Sequence, residues 1–141
     1  MTTTAPVLNP QIVGQAENAH KPFLARILAH SGTTMNQWVA LTMTATAGGA
    51  IEAEQLVAQM VGALKIDQVA ARDTIAELVA TRLLADEASQ VGLTDAGRAR
   101  YGQIRAAVDA IIATAYGDIP TEDLVTAARV LTLITARLNA L

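Results

Sequence analysis

The chain lacks cysteine altogether and contains few aromatic residues. Without cysteine in its 141 residues, disulfides, thiolate metal sites and a cysteine nucleophile are excluded. The absence also fits a reducing compartment, and we expect a cytoplasmic protein. Aromatic residues make up only 3% of a chain that is 52% hydrophobic, so the core must consist mainly of alanine, valine, leucine and isoleucine. This composition favours closely packed helices, and the length favours a single domain.

Charged residues are absent from positions 27–51, so a membrane span has to be considered. The stretch nevertheless contains His30, Asn36, several threonines and Gly48-Gly49, whereas a span needs about 20 mostly apolar residues. The first ten residues also lack the basic start and apolar run of a signal peptide. The sequence therefore predicts no membrane association.

Catalytic motifs are missing as well. The sequence has no glycine-rich phosphate loop, no His-Glu-x-x-His motif and no Gly-x-Ser-x-Gly elbow. His20 and His30 have no third ligand at a suitable spacing, so we expect neither a metal nor a cofactor. Glu52 and Glu54 would point to different faces of a helix, which suits a helix dipole better than acid-base catalysis. The sequence predicts that the protein is not an enzyme.

Apolar residues at steps of three and four predict helices over most of the chain. Residues 1–9 lack this pattern and are expected to form a loose arm. A first helix ends near His30, and Pro22 either kinks it or opens a second helix at its first turn. The next helix is capped by a threonine and ends at Gly48-Gly49.

The middle of the chain has the pattern of a helix-turn-helix followed by a hairpin. Ile51-Glu52-Ala53-Glu54 is expected to open a helix, and Lys65-Ile66-Asp67 to form a turn in which Asp67 caps the following helix. Two helices of this length joined by a short turn with a glycine, here Gly62, form a helix-turn-helix. Residues 83–93 then predict a hairpin with a four-residue turn, Asp86-Glu87-Ala88-Ser89.

Two further helices, from Asp95 and from Thr121, complete the chain. Their apolar stripes extend beyond the hairpin and include Ile112, Leu131 and Leu138. Two helices cannot bury such stripes alone. A second copy of the chain is the simplest partner, so we expect a homodimer.

Three short motifs in this order carry a family resemblance: Asn36-Gln37-Trp38-Val39-Ala40-Leu41, Leu56-Val57-Ala58-Gln59-Met60 and Leu93-Thr94-Asp95-Ala96-Gly97-Arg98. With them, the chain resembles the MarR family of bacterial transcription regulators over roughly residues 33–138. The resemblance implies a mainly α fold with a small β-wing, in a single domain of residues 1–141. The winged helix-turn-helix core would occupy residues 33–94, flanked by dimerisation helices at 10–30 and 95–141.

The resemblance further implies a homodimer that binds a pseudo-palindromic DNA duplex, with the fourth helix in the major groove and the wing near the minor groove. The DNA-binding candidates are Lys65, Gln68, Ala70, Arg72, Asp73, Gln90 and Arg98. A small aromatic or phenolic effector would bind in a crevice between the dimerisation and DNA-binding parts, and it would act by preferring one spacing of the two DNA-reading units of the dimer. The effector-pocket candidates are Phe23, His30, Trp38, Met43 and Tyr101.

Several of these residues have a second interpretation. Arg72 and Gln68 could contact base edges, or Arg72 could bond Asp73 or Glu77 on its own helix. Arg98 could reach the DNA backbone or tie the wing to the long helix. Trp38 could stack on a ligand, but a single tryptophan at helical spacing also fits the core.

The chain also has few positively charged residues for a DNA-binding protein. Residues 52–100 hold five cations against eight acids, and the predicted wing turn has no cation. Acidic side chains are repelled by the negative potential of a minor groove. The sequence therefore leaves a rival hypothesis, namely the same fold with weakened DNA binding, acting as a ligand-binding or protein-interaction module.

Overall fold

The computed structural model describes residues 5–141, and within them the fold is mainly helical with one small antiparallel sheet, as the sequence predicts. The elements are α1 (Pro10–His30), α2 (Met35–Thr46), β1 (Ala50–Glu52), α3 (Ala53–Leu64), α4 (Gln68–Ala80), β2 (Leu84–Glu87), β3 (Gln90–Leu93), α5 (Asp95–Tyr116) and α6 (Thr121–Asn139). Residues 1–4 of the predicted loose arm lie outside the described residues, and residues 5–9 are exposed without regular structure. None of the described helices has the length and apolar character needed to cross a membrane.

The chain divides into two compact units. The first ends at Val108 and contains the sheet with helices α1 to α4 and most of α5. The second, Asp109–Leu141, contains the end of α5 and all of α6. No residue of the second unit is buried within this single chain, so its apolar side chains remain available to a partner.

The helix boundaries follow from local capping. A single helix, α1, runs through Pro22, so the alternative with a separate helix opening at that residue is wrong. The side chain of Thr34 accepts a hydrogen bond from the backbone N–H of Gln37, and the Gln37 side chain accepts one from Thr34 N–H. This reciprocal capping box fixes the start of α2.

The turn between α3 and α4 forms without glycine. Gly62 stays inside α3, and Lys65 instead adopts the left-handed conformation, with φ of 56°. Asp67 caps α4, as predicted, because its Oδ1 accepts a hydrogen bond from Ala70 N–H at 2.8 Å. The helix-turn-helix prediction is confirmed, whereas a glycine in its turn is not found.

The sheet has the order β1-β3-β2 and corrects the sequence analysis at two places. The predicted helix start at Ile51 is wrong, because Ala50–Glu52 pairs with Gln90–Gly92 as a strand and α3 begins only at Ala53. The predicted four-residue wing turn is also too long. Asp86 and Glu87 continue the pairing with β3, which leaves only Ala88-Ser89 at the tip.

Two apolar clusters hold the first unit together. The larger, here called the aliphatic core, joins α2, α3, α4 and the sheet through side chains that include Leu41, Leu56, Met60, Leu78 and Val91. The smaller, here called the aromatic cluster, consists of Leu28, Trp38 and Ile104, with partly buried neighbours that include Tyr101. The predicted inward positions of α4, Ala71, Ile75 and Leu78, are all buried.

Residues 93–98, here called the wing junction, connect β3 to α5 through close backbone contacts. The Thr94 hydroxyl donates to the carbonyl of Arg82 at 2.6 Å and accepts from Gly97 N–H at 2.9 Å. Gly97 is buried against the carbonyl of Leu83, where a Cβ would overlap the carbonyl oxygen. Threonine and glycine at these positions are therefore explained by the geometry of the junction.

Candidate nucleic-acid interface and effector cleft

Helix α4 has one buried face and one exposed face. Since Ala71, Thr74, Ile75 and Leu78 pack inward, the candidates Gln68, Arg72 and Asp73 lie on the exposed face, and Ala70 is half-buried. Val69 also lies on the exposed side, with 67% of its surface accessible. The sequence analysis missed this residue, although an apolar side chain outside the inward stripe was a signal that could have identified it.

Arg72 is held by an acidic residue of the preceding helix. Its Nη1 and Nη2 donate to the two carboxylate oxygens of Glu54 on α3 at 2.7 and 2.8 Å. The partner is therefore neither Asp73 nor Glu77, the two acidic residues of its own helix that the sequence analysis named as alternatives. The hydrogen bonds and charge of Arg72 lower the pKa of Glu54 below its ordinary value, and those of Glu54 raise the pKa of the Arg72 guanidinium. The side chain of Arg72 is 48% exposed and that of Glu54 is 76% exposed, so solvent screens the attraction between them.

A second polar contact connects α2 with α4. The amide Nε2 of Gln37 donates to the carboxylate of Glu77 at 3.0 Å, while the same side chain completes the capping box of α2. The N-terminus of α2 is thereby linked to the C-terminal half of α4. The carboxylate of Glu77 thus has a partner outside its own helix.

The remaining DNA-binding candidates surround α4. Lys65 is exposed at the turn before it. Arg98, in the first turn of α5, extends its Nη1 to 3.4 Å from Oδ1 of Asp95, and its side chain remains 61% exposed. Arg98 therefore makes a local contact within α5.

Gln90 lies at the start of β3 between two acidic residues. It is opposite Glu52 of β1 on one side and Glu87 of β2 on the other. Directly opposed residues share a face of the sheet, and all three are exposed. We call Glu52, Gln90 and Glu87 the acidic row. The sequence could not indicate it, because β1 was assigned to a helix.

The effector-pocket candidates separate into different environments. Trp38 and Tyr101 stack, with ring centroids 5.4 Å apart and an angle of 21° between the planes. Met43 packs against the aliphatic core instead. Phe23 is 45% exposed, and the guanidinium of Arg26 lies over its ring.

His30 lines a small cleft between the end of α1 and the middle of α5. The cleft has a volume of about 190 Å³ and is also lined by Ile27, Ser31, Gln103, Ile104 and Ala107. Ile104 also belongs to the aromatic cluster, which contains Trp38 and Tyr101, but neither of these two rings lines the cleft.

A chain of polar side chains begins at the edge of the cleft. The hydroxyl of Ser31 is 2.9 Å from that of Thr33, which also accepts a hydrogen bond from Nη1 of Arg100 at 3.1 Å. The sequence analysis did not select these residues, because serine and threonine after a helix indicate capping. Among the described residues, no group of three acidic or histidine side chains could hold a metal ion.

No protein-family model matches the chain, and no curated protein matches it in sequence. Solved structures do match. NadR in complex with 4-hydroxyphenylacetate has a TM-score of 0.74 at 18% identity, over 96% of this chain and 98% of that one. A MarR family transcriptional regulator from Silicibacter pomeroyi DSS has a TM-score of 0.75 at 22% identity, over 90% and 86% of the two chains.

A third match is BpsR from Bordetella bronchiseptica, whose DNA binding is regulated by 6-hydroxynicotinic acid. Its TM-score is 0.67 at 23% identity, over 93% of this chain and 99% of that one. These matches confirm that the chain has the MarR-type winged-helix fold.

Proposed function

We propose that the chain is a homodimeric transcription regulator that binds a pseudo-palindromic duplex and responds to a small aromatic acid. The observation that carries the proposal is α4, which follows a helix-turn-helix turn, buries one face in the aliphatic core and exposes Gln68, Val69, Arg72 and Asp73 on the other. A rigidly supported helix with such a face is the usual reader of a major groove.

The exposed face supports specific roles. Arg72 and Gln68 have the side chains that bind guanine and adenine edges, and Val69 offers an apolar contact for a thymine methyl group. Lys65 at the turn suits a phosphate contact, which positions the protein without reading sequence. Gln90 on the wing and Arg98 after it are the further candidates for contacts outside the major groove.

Dimerisation is supported by the apolar residues of α6. Val125, Leu131, Ile134 and Leu138 remain between 37% and 63% exposed in the single chain. Apolar side chains left exposed at helical spacing favour a protein interface, and a second copy is the simplest partner.

The cleft at His30 supports a single-ring effector. Its volume of about 190 Å³ is below the range of drug-sized sites. An apolar cavity of about 150 Å³ already holds benzene. The wall of Ile27 and Ile104 suits the ring, while the imidazole of His30 can donate to a carboxylate. NadR and BpsR, with the same fold, have the ring acids 4-hydroxyphenylacetate and 6-hydroxynicotinic acid as ligand and regulator.

The rival function is a ligand-binding or protein-interaction module with weakened DNA binding. The acidic row and the engagement of Arg72 with Glu54 favour it, because both reduce the positive charge offered to a duplex. A titration of genomic fragments at low and moderate salt separates the two. Absence of both a selected fragment and a salt-dependent affinity would replace the regulator by the interaction module.

Once the titration has selected a genomic fragment, the roles of Arg72 and Lys65 can be compared on it. Arg72→Ala should reduce discrimination against a mutated guanine by about tenfold or more, because it removes a base contact. Lys65→Ala should instead weaken all duplexes alike and lower the salt slope by about one. Fluorescence anisotropy with the selected, mutated and unrelated duplexes measures both. Unchanged selectivity in Arg72→Ala would mean that another part of α4 reads the bases.

A further inference from the structure

The contact between Glu54 and Arg72 occupies the part of Arg72 that would read a base. An arginine has five N–H donors arranged in a planar fork. Both terminal nitrogens of Arg72 already donate to Glu54, one to each carboxylate oxygen. A guanine O6/N7 pair also needs two donors that point the same way. The carboxylate takes one N–H from each terminal nitrogen, the pair at the end of the fork. Arg72 must therefore release Glu54 before it can bind a guanine with this end-on pair, although each terminal nitrogen keeps a second N–H.

The position of Glu54 maintains its negative charge. It lies in the first turn of α3, where the positive end of the helix dipole favours a carboxylate. The pKa of its carboxyl is lowered by the hydrogen bonds and charge of Arg72. Glu54 is thus ionised at neutral pH and competes with guanine as a charged acceptor.

The exposure of the pair makes this competition reversible. Glu54 and Arg72 are both substantially exposed, and exposed ion pairs contribute little to stability. A duplex can therefore displace the carboxylate at a small cost. This cost lowers the affinity only for duplexes in which Arg72 leaves Glu54 to bind a base, and not the affinity for DNA in general.

Resting on the proposed function, we infer that Glu54 is a specificity-determining residue that masks Arg72 and lowers the affinity for sites in which Arg72 contacts guanine. It makes no base contact itself. Its effect is to require that the guanine contact outcompete a carboxylate already bound to the same donors.

The experiment compares the wild-type protein with Glu54→Gln, Arg72→Ala, the double variant and the control Glu17→Gln. The control removes the same charge from α1, outside the acidic row, without altering the partner of Arg72. Affinities are measured by anisotropy on the selected duplex and on the duplex with the target guanine replaced. We expect Glu54→Gln to gain up to about fivefold on the selected duplex, the size set by an exposed ion pair. We expect this gain to disappear when Arg72 is alanine.

The outcomes separate the mask from simple charge removal. Equal gains in Glu54→Gln and Glu17→Gln, or a gain that survives Arg72→Ala, would overturn the mask. So would weaker binding by Glu54→Gln, which would mean that Glu54 orients Arg72 for the base. If Glu54→Gln selects a duplex and the wild type does not, this result would support the mask. If neither the wild type nor Glu54→Gln selects a duplex, the proposed function itself fails.

Discussion

The wing junction and the exposed face of α4 are built in opposite ways. At the junction, the Thr94 hydroxyl bonds three backbone groups, and Gly97 is buried against one of them, the carbonyl of Leu83. On α4, Arg72 is held by one exposed carboxylate that belongs to another helix. The junction contacts are made to backbone groups around a buried glycine, whereas the α4 contact joins two exposed side chains that can exchange partners.

This difference separates what determines the fold from what determines recognition. Buried backbone contacts tolerate few side chains, because neither the carbonyl of Leu83 nor the strand before Thr94 can move far. Exposed charges can be replaced without loss of the fold, since surface substitutions usually change stability little. The chain can therefore keep the winged-helix architecture while the charge of the exposed face of α4 changes.

The largest effect is expected at Gly97. Gly97→Ala places a Cβ against the carbonyl of Leu83, and overpacking of this kind destabilises by about 1–3 kcal/mol. The control is Gly102→Ala in the same helix, where an added Cβ meets nothing within 4 Å. That variant should gain up to about 1 kcal/mol from helix propensity. Urea unfolding at one fixed protein concentration measures both, and equal behaviour of the two variants would contradict a tight junction.

The sequence predicted the parts of the molecule in which local pattern and geometry agree. The inward stripe of α4, the Asp67 cap and the helix that follows the wing are all present as predicted. Strand β1 was missed because three residues are too few for alternation to be distinguished from a helix start. The short wing turn was missed because Ala88 adopts a positive φ of 58°, which alanine does not signal.

Long-range contacts explain what the sequence could not predict at the candidate site. Arg72 and Glu54 are 18 residues apart, beyond the reach of any helical spacing rule. Arg100 and Thr33 are 67 residues apart. Both contacts depend on how the helices pack, so composition and periodicity do not contain them.

The wing offers the converse test, in which the interface changes and the fold does not. Glu87→Lys converts one member of the acidic row into a cation, and a new phosphate contact should raise the salt slope by about one. We expect about tenfold tighter binding at low salt, checked by anisotropy, with an unchanged urea midpoint. Glu17→Lys on α1 makes the same charge change away from the wing. Equal gains in affinity from both variants would mean that the gain comes from the overall charge of the protein and not from a contact between the wing and the duplex.

The smallest effect is expected in the pKa of Glu54, whose titration tests how firmly the exposed pair of Glu54 and Arg72 is held. The hydrogen bonds and charge of Arg72 lower the pKa of Glu54, so the pair's contribution is present above the ordinary carboxyl pKa and is lost as pH falls through the lowered value. In NMR titrations of the side-chain carboxyl carbon, Arg72→Ala should return the midpoint to its ordinary value. A bound cognate duplex should also raise it, because Arg72 then leaves Glu54 for the base. An identical midpoint in the wild type and Arg72→Ala would mean that the pair is too weakly populated in solution to mask anything. The wing junction would then have fixed contacts, whereas Arg72 on α4 would have no lasting contact with Glu54.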